Sequence, residues 1–274
     1  MSTISEIIMQ RKSVRSYDGQ SLKDEDRKRI QEYIGTIKNP YGIPVTFQLL
    51  DAKEYGLSSP VLSGEQLYVA AKVEKLPHAE EAFGYSFEKL VLYACSLGIG
   101  TVWIGGTMNR SVFENAVGLK ENEMMPCVSP LGYPAKKRSV REALMRKGVK
   151  ADERKHFEDL FFDGSLETPL TAQKAKDAAN ALEMVRWAPS AVNKQPWRVI
   201  VKGDTCHFYE KKDKGYVGDA TGDLQKIDVG IALCHFMLSL ESEQTAAEFV
   251  LSDPDIEISP DMEYIASVKI RTQS

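Results

Sequence analysis

Residues 82–100 read AFGYSFEKLVLYACSLGIG, and the stretch from Phe87 to Leu97 places apolar side chains on nearly every face of a helix. A helix with that pattern is buried on all sides rather than along one stripe. Gly98 follows it and is suited to end it. Residues 226–240, KIDVGIALCHFMLSL, are a second almost wholly apolar stretch of helical length. Two fully buried helices in one chain predict a core that lies between two packed units.

The same order of elements is predicted twice along the chain. A surface helix at 21–34 precedes a turn, a strand at 45–52 and the first buried helix. The second half has a helix at 170–188, a turn, a strand at 197–204 and the other buried helix. β-Branched and aromatic residues mark the strands, and clusters of Pro, Gly and Asn mark the turns. Further strands are expected at 101–106, 125–134, 247–252 and 264–271, and a short helix at 112–119.

Two alignments relate the halves. Pairing Pro44 with Pro196 requires an offset of 152 residues, and pairing Gly84 with Gly230 an offset of 146. Such similar offsets predict a duplicated unit whose copies pack as a pseudo-symmetric dimer within one polypeptide, although a helix–strand–helix order also recurs by chance. We place the boundary near residue 150. The halves are then residues 1–150 and 151–274, joined by a charged helical or extended strap at 139–161.

The composition bounds the class of protein. The 274 residues are 43% hydrophobic and 27% charged, which is typical of globular proteins and excludes disordered, collagen-like and coiled-coil classes. No run approaches the roughly 18 apolar residues of a membrane helix, and the amino terminus lacks the apolar core of a secretory signal. No basic stripe interleaved with aromatics points to nucleic acid. We expect a cytoplasmic protein that binds neither membrane nor nucleic acid.

Sparse cysteines and histidines argue against metal chemistry. The four of each are scattered, with no pair at metal-ligand spacing. No nucleophile with its base, paired carboxylates or Ser-His-Asp arrangement is evident. Residues 1–150 carry 21 Lys and Arg against 17 Asp and Glu, whereas the remainder carries 14 against 22. The basic half is therefore where a bound anion is expected, unless the asymmetry is counting noise.

A cluster of cations lies near the amino terminus. Arg11, Lys12, Ser13 and Arg15 fall within residues 11–15, here called the basic segment. Arg offers a planar fork of donors, Lys a point charge and Ser a neutral hydrogen bond, which together can surround a phosphate. The alternative is a solvated basic run.

Polar groups without charge lie in the second half. Residues 189–195, here called the polar turn, belong to the stretch APSAVNKQPW and carry Ser190, Asn193 and Gln195 between two prolines. Hydroxyls and amides on a rigid turn suit a planar heterocycle with alternating donors and acceptors. An ordinary turn beside a core Trp is the alternative.

Glycines mark a third candidate. Residues 98–106, here called the glycine segment, end in TVWIGG, where Gly105 and Gly106 would let a ligand approach the backbone closely. LGYPAKKR at 131–138 supplies further cations after a strand end, although glycines at a strand end more often form turns.

Together these motifs resemble the FMN-dependent nitroreductase family. That family has an R-R-S-x-R-like segment, P-S-x-x-N-x-Q-P-W before a long strand, a buried helix leading to G-L-G-x-x-W-I-G-G, and L-G-Y-P followed by a basic residue. The counterparts are RKSVRSY, PSAVNKQPW, GIGTVWIGG and LGYPAKKR, within residues 5–240. The resemblance implies an α+β fold of two repeated halves, each with a central, mostly antiparallel sheet flanked by helices.

The motifs are divided between the halves in an unusual way. In ordinary members one subunit carries all four, and the flavin lies at a homodimer interface. Here RKSVRSY, GIGTVWIGG and LGYPAKKR all precede residue 140, and PSAVNKQPW occurs only in the second half. The chain therefore resembles a fused, pseudo-dimeric branch of the family that binds one FMN per chain, as a monomer or a weak homodimer.

The resemblance assigns the cofactor contacts to named residues. It implies that the basic segment holds the phosphate and ribityl groups, that Gly105 and Gly106 face the isoalloxazine, and that the polar turn lines the opposite side. The cofactor-binding residues that it implies are Arg11, Lys12, Ser13, Arg15, Gly105, Gly106, Lys137, Arg138, Pro189, Ser190, Asn193 and Gln195.

The function implied is that of an FMN-dependent oxidoreductase. NAD(P)H would reduce the flavin, and a small acceptor such as a nitroaromatic or quinone would reoxidise it, so the chemistry belongs to the cofactor and no catalytic side chain is expected. Alternatives are a reductive dehalogenase or flavin-consuming enzyme on the same fold, and a non-catalytic flavin or small-ligand binding protein.

Overall fold

The computed structural model describes residues 2–137 and 139–271. The α-helices within these ranges are α1 (Ile4–Gln10), α2 (Asp24–Ile34), α3 (Ala79–Ser96), α4 (Arg110–Ala116), α5 (Val140–Gly148), α6 (Phe157–Leu160), α7 (Ala179–Arg186) and α8 (Leu224–Ser242). The strands are β1 (Thr46–Asp51), β2 (Leu67–Glu74), β3 (Glu123–Met124), β4 (Val128–Leu131), β5 (Phe161–Asp163), β6 (Trp197–Lys202), β7 (Thr205–Lys211), β8 (Val217–Gly218), β9 (Gly222–Asp223), β10 (Ala246–Val250) and β11 (Met262–Arg271).

The strands form two main sheets. In the first, β2 pairs antiparallel with β1, β3 and β4. The second has the order β10-β11-β7-β6-β5 and is antiparallel except where β5 lies parallel to β6. β8 and β9 form a separate small hairpin. Helices together with largely antiparallel sheets define an α+β fold.

The two apolar helices pack against each other at the centre. α3 contacts β2 of the first sheet, and α8 contacts β6, β7 and β10 of the second. Residues from both helices belong to the same hydrophobic cluster. α3 ends at Ser96, and Gly98 two residues later has a φ of +75°, which suits a residue without a side chain. Asp223 caps the amino terminus of α8, and its carboxylate accepts hydrogen bonds from the amides of Gln225 and Lys226.

Most of the elements expected from the sequence are present, and two expectations need correction. Residues 101–106 are not a strand, because only Thr101 and Ile104 make isolated bridges. The helix expected from residue 170 begins only at Ala179, after turns and a 3₁₀ helix at Lys176–Ala178. β2 and β7 were not predicted.

The charged strap at 139–161 is mainly helical. It contains α5, a short irregular stretch and α6. Residues 150–155 of the strap, here called the linker turn, lie between α5 and α6. In the ranges that the structure describes, no helix is long and apolar enough to cross a membrane.

Candidate functional site

Three of the four motifs meet through main-chain contacts. The Val14 amide donates to the Thr101 carbonyl oxygen (2.9 Å), which joins the basic segment to the glycine segment. Gly100 donates to the Gly132 carbonyl oxygen (2.8 Å), which joins the glycine segment to LGYP. Tyr17 packs its ring where a Cβ on Gly132 would lie, only 2.8 Å from such an atom. The first-half motifs therefore form one continuous surface.

Arg11 of the basic segment carries a buried donor without a hydrogen-bond partner in the described part of the chain. The Arg11 side chain is only 7% exposed and its Nε lies 3.8 Å from Glu88 Oε1. That Nε is buried and donates no hydrogen bond to any residue of the described ranges. Burial lowers the pKa of Arg15, with Glu142 opposing this shift and Arg146 adding to it. A buried cationic donor that makes no hydrogen bond within the protein suits an anion-binding site.

The remaining residues predicted to hold the phosphate lie closer to solvent. Lys12 and Lys137 are exposed, and Ser13 is half-buried. Arg138 lies outside the described residues, so its predicted role stays a prediction.

A buried carboxylate links Arg11 to the glycine segment and to α8. Glu88 of α3 is fully buried and accepts hydrogen bonds from Trp103 Nε1 (3.0 Å) and from His235 Nε2 (2.9 Å). His235 Nδ1 in turn lies 3.0 Å from the Met184 carbonyl oxygen. Glu88 thus fixes the positions of three elements around the basic segment.

The two glycines of TVWIGG leave open space. A Cβ on Gly106 would meet no atom within 4 Å, and one on Gly105 would come only within 3.6 Å of the Pro126 carbonyl oxygen and 3.9 Å of Leu224. Arg110 donates to the Gly105 carbonyl oxygen (2.7 Å) and so holds the loop. A flat ligand could therefore approach the backbone here, beside the start of α8.

The polar turn has a strained backbone. Val192, Asn193 and Gln195 all have positive φ, at 43°, 60° and 53°. Positive φ costs free energy in residues other than glycine, most of all in a β-branched one, and such strain concentrates at functional sites. The turn is held by Asp228 of α8, whose two carboxylate oxygens each lie 3.1 Å from the Ala191 amide nitrogen. Burial raises the pKa of Asp228 well above its ordinary value.

The side chains of the polar turn contact the linker turn. Asn193 Nδ2 donates to the carbonyl oxygens of Lys150 (2.8 Å) and Glu153 (3.0 Å). Gln195 Oε1 accepts the Lys155 amide (2.9 Å). Ser190 Oγ accepts the Gln195 amide (2.9 Å), and Pro189 is half-buried at the start of the turn. The amides predicted to contact a flavin ring are therefore bound to the chain's own backbone.

Two further arginines, which the sequence analysis did not select, interact electrostatically with the basic segment. Arg146 of α5 is 8% exposed and pairs with Asp152. Arg154 of the linker turn donates to the carbonyl oxygens of Ala151 and Glu153, and burial, followed by the charge of Arg11, lowers its pKa to about 10. Both occur in the stretch that we predicted to be a surface strap, and its high charge was the only available signal.

The predicted cofactor-binding residues lie outside one cavity of the structure. A cavity of about 510 Å³ lies near β5, β6 and the 3₁₀ helix at Lys176–Ala178, and none of the predicted cofactor-binding residues lines it. Among the described side chains, no three His, Cys, Asp or Glu are placed to hold a metal ion.

Comparison with known structures identifies the fold. The structure is similar to that of a putative nitroreductase from Thermotoga maritima MSB8, with a TM-score of 0.62 and 18% identity over 98% of this chain and 94% of that one. A nitroreductase with bound FMN from Desulfitobacterium hafniense DCB-2 matches 50% of this chain and 93% of its own, at 17% identity and a TM-score of 0.43. The similarity to the Thermotoga maritima structure shows that the chain has the nitroreductase fold.

The family follows from the sequence comparison. The family model described as "Putative TM nitroreductase" matches residues 3–240. The chain belongs to this nitroreductase family, whose members are oxidoreductases. A search of curated proteins gave no match.

Proposed function

We propose that this protein is an FMN-dependent oxidoreductase that passes reducing equivalents from NAD(P)H to a small aromatic acceptor such as a nitroaromatic or a quinone. The observation that carries this proposal is the buried Arg11 guanidinium, whose Nε has no hydrogen-bond partner in the part of the chain described. It lies in the basic segment, next to the glycine segment, in a protein of the nitroreductase family.

The basic segment fits the phosphate of FMN. The Arg11 side chain is buried and burial lowers the pKa of Arg15, so both cations lie in a partly desolvated environment, where charge-assisted hydrogen bonds are strongest. Lys12, Ser13 and Lys137 lie nearer to solvent and would complete the phosphate contacts. Arg138 is proposed in the same role on the sequence pattern alone.

The glycine segment fits the ring. Gly105 and Gly106 leave room for a planar group against the backbone, and Arg110 holds the Gly105 carbonyl in place. Pro189 and Ser190 would form the facing wall, and Asn193 and Gln195 would shape it through the turn that they stabilise. When bound, FMN supplies the chemistry by accepting a hydride from the nicotinamide and returning electrons to the acceptor.

The chain's own contribution is orientation and shielding. The cations hold one end of the cofactor, the glycines admit its flat end, and the polar turn limits the access of water from the other side. Because each of the four motifs occurs only once in the sequence, we propose a fused pseudo-dimer with one flavin site. A cytoplasmic location is part of the same proposal.

A flavin titration tests the proposal. The fluorescence of FMN should be quenched when it binds. Anaerobic addition of NADH or NADPH should then bleach the visible absorbance of the bound flavin. Addition of a quinone or a nitroaromatic should restore that absorbance. Failure to bind FMN would refute the proposal. Binding without bleaching would favour a flavin-binding protein, and bleaching with reoxidation only by a halogenated aromatic would favour a reductive dehalogenase.

A further inference from the structure

The proposed flavin site should have a counterpart if a two-fold axis relates the halves of the chain. A symmetric dimer repeats each of its sites once per subunit. Here the proposed site consists of the polar turn of the second half, the glycine segment of the first half and the start of α8. Its counterpart would then consist of the equivalent turn of the first half, the equivalent segment of the second half and the start of α3.

The equivalent turn is tied to the central helix of its own half. Residues 37–43, here called the counterpart turn, align with the polar turn at the offset of 152 residues. Asn39 shapes this turn, because its Oδ1 accepts the Tyr41 amide (3.1 Å). Asn39 Nδ2 also donates to Ser86 Oγ of α3 (3.1 Å), just as a side chain of α8 holds the polar turn. The two turns are therefore alike in placement.

The other two parts of the counterpart follow from the offset of 146 residues. His78 immediately precedes α3 and aligns with Leu224 at the start of α8. Phe249 of β10 aligns with Trp103 of the glycine segment. Side chains of His78 and Phe249 should therefore border any second place for a ring.

A ring of the chain itself lies between them. The Tyr41 ring stacks on the His78 ring, with the centroids 5.5 Å apart and the planes inclined by 25°. It meets the Phe249 ring at 73°, with the centroids 4.9 Å apart. Both are attractive arrangements of aromatic rings. Tyr41 thus joins the counterpart turn, the start of α3 and β10, and the location bounded by Tyr41, His78 and Phe249 is here called the counterpart site.

The polar groups at the counterpart site are not fully paired. The Tyr41 hydroxyl is buried and has no hydrogen-bond partner in the described ranges. Glu81 of α3 is 1% exposed; its Oε1 lies 3.3 Å from His78 Nδ1, whereas its Oε2 has no partner within the same ranges. A buried hydroxyl without a partner is destabilising. Packing of the Tyr41 ring, rather than a hydrogen bond of its hydroxyl, therefore holds this side chain in place.

The counterpart site lacks the features that suit FMN. Leu251 and Ser252 stand at the positions equivalent to the two glycines of TVWIGG. After the strap, the second half reads FFDGSLE at 161–167, with no Lys or Arg to hold a phosphate. What the location offers is a ring-sized space between aromatic side chains, which suits an uncharged aromatic group.

We propose that the chain has a second site for an aromatic ring, the pseudo-symmetric counterpart of the flavin site, and that Tyr41 fills it, a proposal that rests on the proposed function only in calling the other location a flavin site. With the Tyr41 ring removed, the counterpart site takes an uncharged, phenol-like aromatic molecule. A ring of the chain at one location and a cofactor at the other would give one flavin per chain.

Replacement of the missing ring by p-cresol, which has the structure of a tyrosine side chain, tests this proposal. Tyr41→Ala should melt below the wild type and should bind p-cresol in a calorimetric titration. Millimolar p-cresol should raise the melting temperature of this variant by about 3 °C. The wild type should show neither effect, because its own ring fills the space.

Tyr41→Phe is the matched control. It keeps the ring and loses only the unpaired hydroxyl, so it should melt at or above the wild-type temperature and bind no p-cresol. Failure of a folded Tyr41→Ala to bind p-cresol would overturn the proposal, and so would equal binding by the wild type. If Tyr41→Ala folds only when p-cresol is present, that dependence supports the site, whereas failure to refold from urea even with p-cresol counts against it.

An FMN titration separates failure of this proposal from failure of the proposed function. The FMN affinity of Tyr41→Ala should stay within about two-fold of the wild type, because Tyr41 belongs to none of the motifs assigned to the flavin. A loss of about ten-fold or more would place Tyr41 in the flavin site and overturn the proposal. If the wild type binds no FMN, the flavin function is refuted, whereas binding of p-cresol by Tyr41→Ala alone would still support the counterpart site.

Discussion

Gly84 of α3 and Gly230 of α8 face each other's helices reciprocally. A Cβ on Gly84 would lie 2.1 Å from the Ile227 carbonyl oxygen, and one on Gly230 would lie 2.2 Å from the Glu81 carbonyl oxygen. Each glycine thus meets the residue three positions before the other glycine. This reciprocal arrangement is what a two-fold relation between the helices would produce, and it supports the proposed pseudo-dimer.

Alanine at either crossing glycine should destabilise the protein. The added methyl group would overlap a backbone carbonyl that cannot rotate away, so we expect Gly84→Ala and Gly230→Ala each to lower the free energy of unfolding by about 2–3 kcal/mol. Urea denaturation measures the change. Gly148→Ala is the control, because a Cβ there meets nothing within 4 Å and alanine favours helix by up to about 1 kcal/mol. Equal stability of all three variants would contradict the close approach.

The features that the sequence predicted best are those determined by local patterns. The all-round apolar stretches became α3 and α8, and the alignment of Gly84 with Gly230 selected the residues at which those helices cross. The basic segment and the glycine segment also lie together, joined by the hydrogen bond between Val14 and Thr101. These residues are far apart in the chain, and it was the family resemblance rather than a local pattern that predicted their contact.

Features that depend on the path of distant segments were missed. β2 is buried on both faces for most of its length, so it lacks the alternation by which a strand is recognised. The position of the Arg154 side chain depends on where the linker turn packs. Glu88 is hydrogen-bonded to His235, which lies 147 positions away in the chain. Residues 101–106 have a composition typical of a strand, but they form β-bridges with neighbouring segments only at isolated positions.

The buried Glu88 should be essential to stability. Replacement by Gln removes the charge that faces Arg11 and cannot accept from both Trp103 and His235 as a carboxylate does, so we expect Glu88→Gln to lower the free energy of unfolding by about 3 kcal/mol. His235→Gln should be less than additive with it, because both remove the same hydrogen bond. Urea denaturation of the two single variants and the double variant checks this. Glu121→Gln, at an exposed glutamate, should leave stability within about 0.5 kcal/mol.

A larger side chain at Gly106 should prevent binding of the isoalloxazine ring without disturbing the fold. A side chain there meets no protein atom within 4 Å, so Gly106→Val should melt within a few degrees of the wild type. If the isoalloxazine lies against this position, FMN and riboflavin affinities should fall together, by at least about ten-fold. Inorganic phosphate binding should be retained. Unchanged flavin binding in this variant would place the ring elsewhere.

Stability should fall with rising pH in part because of Glu210. This residue of β7 is fully buried and neither carboxylate oxygen has a hydrogen-bond partner in the described ranges. Burial, followed by the charge of Asp223, raises its pKa from 4.5 to about 8, with Lys212 and Lys226 opposing the shift and Glu263 adding to it. The folded state therefore binds a proton between pH 4.5 and about 8 that the unfolded state releases.

That difference fixes the sign of the effect. As pH rises through the window, the unfolded state gains from ionisation before the folded state can, so wild-type stability declines and the full cost is present above the folded pKa. Glu210→Gln cannot ionise and avoids the cost. We expect the variant to match the wild type near pH 4 and to exceed its free energy of unfolding by about 1–3 kcal/mol near pH 9. Parallel urea titrations across this range measure the difference, and a difference that does not change with pH would show that Glu210 ionises alike in both states.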